Sequence, residues 1–174
     1  MSGTGAGASG TCCEYALTIV NECVNYFLIM KPTPKGWPRL TSSAFYQDAN
    51  AAIDWLCKAF GFEVRLKIEG EGGIVEHSEL TYGEGLFFVG DERRQGDKDR
   101  PMKSPKSLGG ATTQAMMFFV DDVDAHCAHA RANGATIAME PKVSDYGEEY
   151  WTDKSYGALD PEGHYWWFCQ RLRG

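Results

Sequence analysis

One pattern occurs twice in this chain, and it constrains the fold more than any other feature. Around Asp48 the sequence reads FYQDANAAIDWLCKAFGFEVRLKI; around Asp121 and Asp122 it reads FFVDDVDAHCAHARANGATIAMEP. In both, an apolar run ends in an acidic residue, a helix-patterned stretch follows, a glycine closes it and an extended segment leaves. The spacing agrees: Asp48 to Asp122 is 122 − 48 = 74 positions, and Gly61 to Gly134 is 134 − 61 = 73. Later landmarks keep step. Tyr82-Gly83-Glu84-Gly85 precedes Leu86-Phe87-Phe88-Val89, as Asp160-Pro161-Glu162-Gly163 precedes Tyr165-Trp166-Trp167-Phe168. Two such units fold into pseudo-symmetric halves, and the cleft between them is where function is sought.

Each repeat divides in the same way. In the first, Leu40 to Tyr46 reads as a strand, and Asp48 or Asn50 caps a helix from about Ala51 to Phe60. Gly61 suits the position just past its end. Strands follow over Phe62 to Glu69, Ile74 to Tyr82 and Leu86 to Gly90, with glycines at the turns. In the second, the strand Gln114 to Val120 leads to a helix over Val123 to Asn133, capped by Asp121 or Asp122. Strands follow at about Ala135 to Met139, Glu149 to Tyr156 and His164 to Arg171. The expected fold class is therefore α+β: two βαβββ modules in tandem, forming a curled eight-stranded mixed sheet around a cup, with the helices outside. The domain reading is an N-terminal extension over 1–38, partly disordered, a first module over 39–91, a linker over 92–112 and a second module over 113–174. The two modules form one domain. The linker is long for a compact domain and is expected to be mobile, functional or simply solvated.

With 174 residues the chain is long enough to bury a core, and its formal charge of −7 disfavours nucleic acid. No apolar run approaches the roughly 20 residues that span a bilayer, and no Lys or Arg precedes Lys31, so a signal peptide and a membrane partner are not expected. The six cysteines, Cys12, Cys13, Cys23, Cys57, Cys127 and Cys169, form no CxxC pair. They read as reduced thiols of a cytoplasmic protein. No Gly-x-Ser-x-Gly supports a nucleophilic triad, and Gly70 to Gly73 has no following Lys-Ser/Thr for a phosphate loop.

The paired modules, the Phe-Val-Asp-Asp-Val-Asp approach to the second helix and the closing Asp-Pro-Glu-Gly-His-Tyr-Trp-Trp-Phe resemble the vicinal oxygen chelate superfamily over about residues 39 to 171. That superfamily includes glyoxalase I, extradiol dioxygenases, fosfomycin-resistance enzymes and bleomycin-binding proteins. In its metal-dependent members, His, Gln or Glu on the first and last strands of each module hold a divalent ion. The resemblance places those positions at Thr41, Phe88, Ala115 and Trp167, with Gln114 as the nearest ligand type. None of the four is a usual metal ligand, so the chain resembles a metal-free branch with no cofactor and unknown catalytic residues.

What those positions imply instead is an apolar, aromatic cup. Alternation places Thr41, Ser43 and Phe45 together, Ala115, Met117 and Phe119 together, and Tyr165, Trp167 and Cys169 together, with Leu86 and Phe88 closing the set. Such a lining stacks planar groups and holds cations. Tyr150 and Trp151, in the acid- and aromatic-rich run from Asp145, are the expected rim, or else an exposed loop. His77 and Glu79 share a strand face and suit an acid–base pair or a subunit contact. His126 and His129 are expected to face solvent, and His164 either locks the Asp160 turn or lines the cup mouth. The leading expectation is a glyoxalase/bleomycin-resistance-like protein that captures a small aromatic or cationic molecule without metal and acts as a homodimer. The alternatives are a metal-dependent lyase or dioxygenase of the glyoxalase I type, for which Gln114, His77, Glu79 and His164 would have to converge, and a structural module with a filled core.

Overall fold

The structure is a computed structural model and describes residues 30–93 and 101–174. Of the expected N-terminal extension, residues 1–29 lie outside the described residues, as do residues 94–100 of the linker. The elements below all belong to the compact unit Pro38–Gly174. The first module comprises β1 (Ser42–Tyr46), α1 (Ala49–Phe60), β2 (Glu63–Glu69), β3 (Val75–Tyr82) and β4 (Gly85–Asp91). The second comprises β5 (Ala115–Phe119), α2 (Val123–Ala132), β6 (Thr136–Asp145), β7 (Thr152–Leu159) and β8 (Tyr165–Arg173). The tandem βαβββ order is the one the repeat predicts.

Local chemistry starts and stops the helices. Asp48 caps α1 by accepting from Ala51 N at 3.1 Å, and Asp122 caps α2 by accepting from Ala125 N at 3.0 Å. Gly61 ends α1 in the left-handed region at φ 80°, which only glycine adopts without strain. In each module the first strand runs parallel to the last and the other pairs are antiparallel, giving the orders β1-β4-β3-β2 and β5-β8-β7-β6. The eight strands are thus shared between two four-stranded mixed sheets rather than one continuous sheet.

The helices lie on the outer faces of the sheets, as expected, and they also meet each other, so that one core is shared between the modules. α1 buries Ala49, Ala52, Ile53, Leu56, Ala59 and Phe60, a wider apolar stripe than one sheet covers. The Phe60 ring crosses to the second module and lies 5.4 Å from Trp166 and 4.8 Å from Phe168. Trp55 Nε1 donates to Asn133 O at 2.9 Å, and His129 Nε2 to Lys58 O at 2.8 Å. Two bounds differ. β6 runs on through Pro141 to Asp145, because it is an edge strand and its register is irregular between Met139 and Lys142, where a missing N–H costs little. The following hairpin, closed by Tyr146 N to Trp151 O at 3.0 Å, delays β7 to Thr152.

The expected solvated linker is, from Ser104 onward, bonded into the fold. Ser104 is fully buried, its N–H donates to Glu92 Oε2, and its hydroxyl donates to Glu162 Oε2 at 2.5 Å. Among the described residues no helix is long and apolar enough to cross a membrane.

Candidate functional site

Strand alternation sorts each sheet into two faces. Ala44, Tyr46, Phe87, Val89, Met116, Trp166 and Phe168 point to the helices and form the core. The opposite, helix-free faces carry most of the residues expected to line a cup. Register brings Ser43 beside Phe88 and Phe45 beside Gly90 in the first sheet. In the second it brings Ala115 beside Tyr165 and Met117 beside Trp167. Thr41 lies just ahead of β1.

The helix-free face of the second sheet is apolar and exposed. Met117 is 60% exposed and Phe119 53% exposed, in mid-strand and in the last residue of a central pairing. Two glycines keep the faces flat where rings lie down. A Cβ on Gly90 would stand 2.6 Å from the Phe45 ring, and one on Gly157 would stand 2.0 Å from the Tyr165 hydroxyl. Ser43 and Phe45 also border a cavity of about 520 Å³ with Met102, Lys103, Leu108 and Gln114, where the linker returns over β1. A second cleft, of about 510 Å³, opens on the helix side between the modules, beside Phe60, Tyr82, Asp121, Asp122, His126 and His129.

Tyr150 and Trp151 lie on the β6–β7 hairpin, 60% and 41% exposed, with the Tyr146, Tyr150 and Trp151 rings clustered. Arg171, which the sequence reading missed, connects them to the sheet. Its guanidinium carbon lies 5.1 Å from the Trp151 ring and 5.6 Å from the Phe119 ring. The expected acidic rim is partly spent, since Asp145 binds Arg173 at 2.9 Å and caps Gly147 N.

The ionisable candidates resolve individually. His77 Nε2 donates to Glu79 Oε1 at 2.9 Å, and Arg65 reaches the other carboxylate oxygen at 3.1 Å, so the two side chains are hydrogen-bonded on the helix-free face beside Phe88. His164 is buried; its Nε2 donates to Phe45 O at 2.9 Å and its backbone N–H to Asp160 Oδ1. Gln114 donates to Ser43 O at 2.8 Å. The expectation of a solvated His126 is overturned. Its Nε2 donates to Phe60 O at 3.2 Å, Nδ1 accepts from Tyr156 Oη at 2.7 Å, and its ring packs 4.4 Å from Phe168. Burial holds its pKa below the usual histidine value. The sequence reading placed α2's solvent side by periodicity alone and did not see that α1 covers it.

The donor set decides the fit of a divalent metal. The positions implied for ligands hold Thr41, Phe88, Ala115 and Trp167, and among the described residues no three His, Cys, Asp or Glu side chains gather as a metal site. Gln114, His77, Glu79 and His164 are each engaged elsewhere, so the residues present do not fit the ion.

A family model described as Glyoxalase/Bleomycin resistance protein/Dioxygenase superfamily matches residues 40–168. An uncharacterized protein of Mycobacterium bovis is 31% identical over 136 residues, covering 78% of this chain and 85% of its own length. An uncharacterized protein of Mycobacterium tuberculosis shows the same identity over 76% of its length. Among solved structures, TioX from Micromonospora sp. ML1 is similar at a TM-score of 0.60 and 27% identity, covering 78% of this chain and 100% of that one. A glyoxalase/bleomycin resistance protein/dioxygenase family enzyme from Burkholderia phytofirmans shares the fold at a TM-score of 0.56 and 20% identity, covering 76% and 97%.

Proposed function

Because the chain belongs to the glyoxalase/bleomycin resistance protein/dioxygenase superfamily, a fold that carries many chemistries, we propose that it captures a small planar aromatic or cationic molecule without a metal. The ligand lies on the helix-free sheet faces, on Ser43, Phe45, Phe88, Met117, Phe119, Tyr165 and Trp167, with Tyr150 and Trp151 at the rim. No bond is broken. The chain works in the cytoplasm as a homodimer, and a second copy closes the exposed face of Met117 and Phe119 into a cup.

The observation that carries this reading is the exposure of Met117 and Phe119 beside Trp167, on strands whose other face is core. A sheet face of this kind is where partners and ligands bind. The absence of imidazole and carboxylate at Thr41, Phe88, Ala115 and Trp167 supports capture without a metal. Among the described residues Cys57, Cys127 and Cys169 are free thiols, and burial raises the pKa of each, which keeps them protonated and poorly nucleophilic.

The test is a thermal-shift screen of chelator-treated protein against neutral, cationic and anionic planar aromatics. A ligand at about ten times its Kd stabilises by about 1.4 kcal/mol, a Tm rise of about 3–6 °C for a chain of this size. At least one compound gives such a rise, and Trp167→Ala abolishes it while the ligand-free variant still unfolds in one cooperative transition. A screen in which no compound acts, or in which all need added metal, contradicts the reading.

A further inference from the structure

Two arginines stand side by side near the end of β8, and they are used differently. Arg173 is spent: its Nη atoms bond Asp145 Oδ1, Thr152 Oγ1 and the carbonyls of Gly147, Glu148 and Tyr150. Arg171 gives one of its five N–H groups, from Nε, to Asp153 Oδ1 at 2.5 Å. Among the described residues no protein group accepts from its Nη atoms. Asp153 is largely buried and Arg171 is 39% exposed, so the carboxylate fixes the inner edge of the guanidinium and leaves the outer edge to solvent.

The rings complete the placement. Phe119 and Trp151 both lie against the guanidinium, at 5.6 and 5.1 Å, which holds its plane and limits its rotation. A ligand cation seeking those ring faces would have to displace Arg171 from them and from Asp153. An oxyanion meets the opposite situation, because two Nη groups offer parallel N–H donors in the fork that matches a carboxylate. The apolar surface of Met117 and Trp167 lies on the same sheet face.

We propose that Arg171 anchors the acidic group of the ligand, so that the site takes a planar aromatic carboxylate, with its ring on Met117 and Trp167 and its carboxylate on the Nη atoms of Arg171. Asp153 is a positioning residue. The proposal rests on the aromatic-cup reading and narrows its two ligand classes to one.

The experiment is calorimetric titration of the chelator-treated protein with three probes of one shape: 2-naphthoate, the neutral 2-naphthamide and the cationic 2-naphthylmethylamine. The wild type binds 2-naphthoate about tenfold tighter than 2-naphthamide, and the amine most weakly. Arg171→Gln brings 2-naphthoate to the level of 2-naphthamide and leaves 2-naphthamide unchanged. Arg171→Lys, which keeps the stem and the charge but not the fork, recovers part of the difference. If the amide binds as well as the acid, or the amine binds best, the anchor is overturned while the cup stands. If Arg171→Gln weakens all three equally, Arg171 is packing and the anchor is likewise overturned. If none of the three binds the wild type, both readings fall. The wild-type comparison needs no variant, so a folding defect in Arg171→Gln does not shield the proposal.

Discussion

Asp160 shows how much of this fold hangs on one side chain. Its Oδ2 accepts from Tyr46 Oη at 2.7 Å and from Trp166 Nε1 at 3.0 Å; its Oδ1 accepts from the backbone N–H of Glu162 and of His164. It therefore shapes its own turn and ties the second module to β1 of the first. Burial, and then the Asp160 charge, push the Tyr46 pKa well up, so this hydroxyl donates throughout the accessible range. Removing the carboxylate orphans three buried donors, Tyr46 Oη, Trp166 Nε1 and His164 N, each costing about 1–3 kcal/mol less what local water and rearrangement recover. Asp160→Ala is accordingly expected to lose on the order of 3 kcal/mol in urea unfolding, against about 1 kcal/mol for Tyr46→Phe. His126 makes a prediction in pH. Its folded pKa is depressed by burial, so the unfolded chain binds the proton more readily. The contribution of His126 is then whole above the unfolded value of 6.5 and drains as pH falls through it. Unfolding free energies taken from about pH 7.5 to about pH 5.5 should fall more steeply for wild type than for His126→Gln. Parallel slopes would contradict the burial account.

At the scale of elements, what was legible in the sequence was local. The caps at Asp48 and Asp122, the left-handed Gly61 and the βαβββ order depend on neighbours a few residues away, and the structure places them as read. Strand alternation likewise assigns Ser43, Phe45, Met117 and Trp167 to one kind of face. What escaped was decided by distant contacts. His126 is sheltered by Phe60, 66 positions earlier, and the extension of β6 through Pro141 depends on that strand being at a sheet edge. Arg171 was passed over because a lone arginine near a strand end carries no signal until the hairpin sets Trp151 against it. Gly157 is informative at this scale. It leaves room for the Tyr165 hydroxyl, and a Cβ there would stand 2.0 Å away. Gly157→Ala should fold with a loss of about 1–3 kcal/mol while Tyr165 swings off the sheet. The variant should lose its response in the aromatic thermal-shift screen; an undiminished response would remove Tyr165 from the cup.

For the whole molecule, the arrangement of the modules decides what the chain leaves unfinished. Their helix-bearing faces are spent on each other through Phe60, Phe62, Phe118 and Trp166, and the helix-free face of the second sheet leaves Met117 and Phe119 exposed among the described residues. The repeat revealed two halves and a site between halves, but which faces meet is set by tertiary packing that no sequence period encodes. A second copy and a planar ligand are what this account supplies to cover them. Native mass spectrometry tests both together with the metal. The protein is incubated with Zn²⁺, Ni²⁺, Mn²⁺ and Fe²⁺, desalted, and sprayed with the best stabiliser from the aromatic screen. The account predicts a dimer mass that carries the aromatic compound and no retained ion. A spectrum with about one ion per subunit, and the compound bound only to the metal-loaded species, would contradict it.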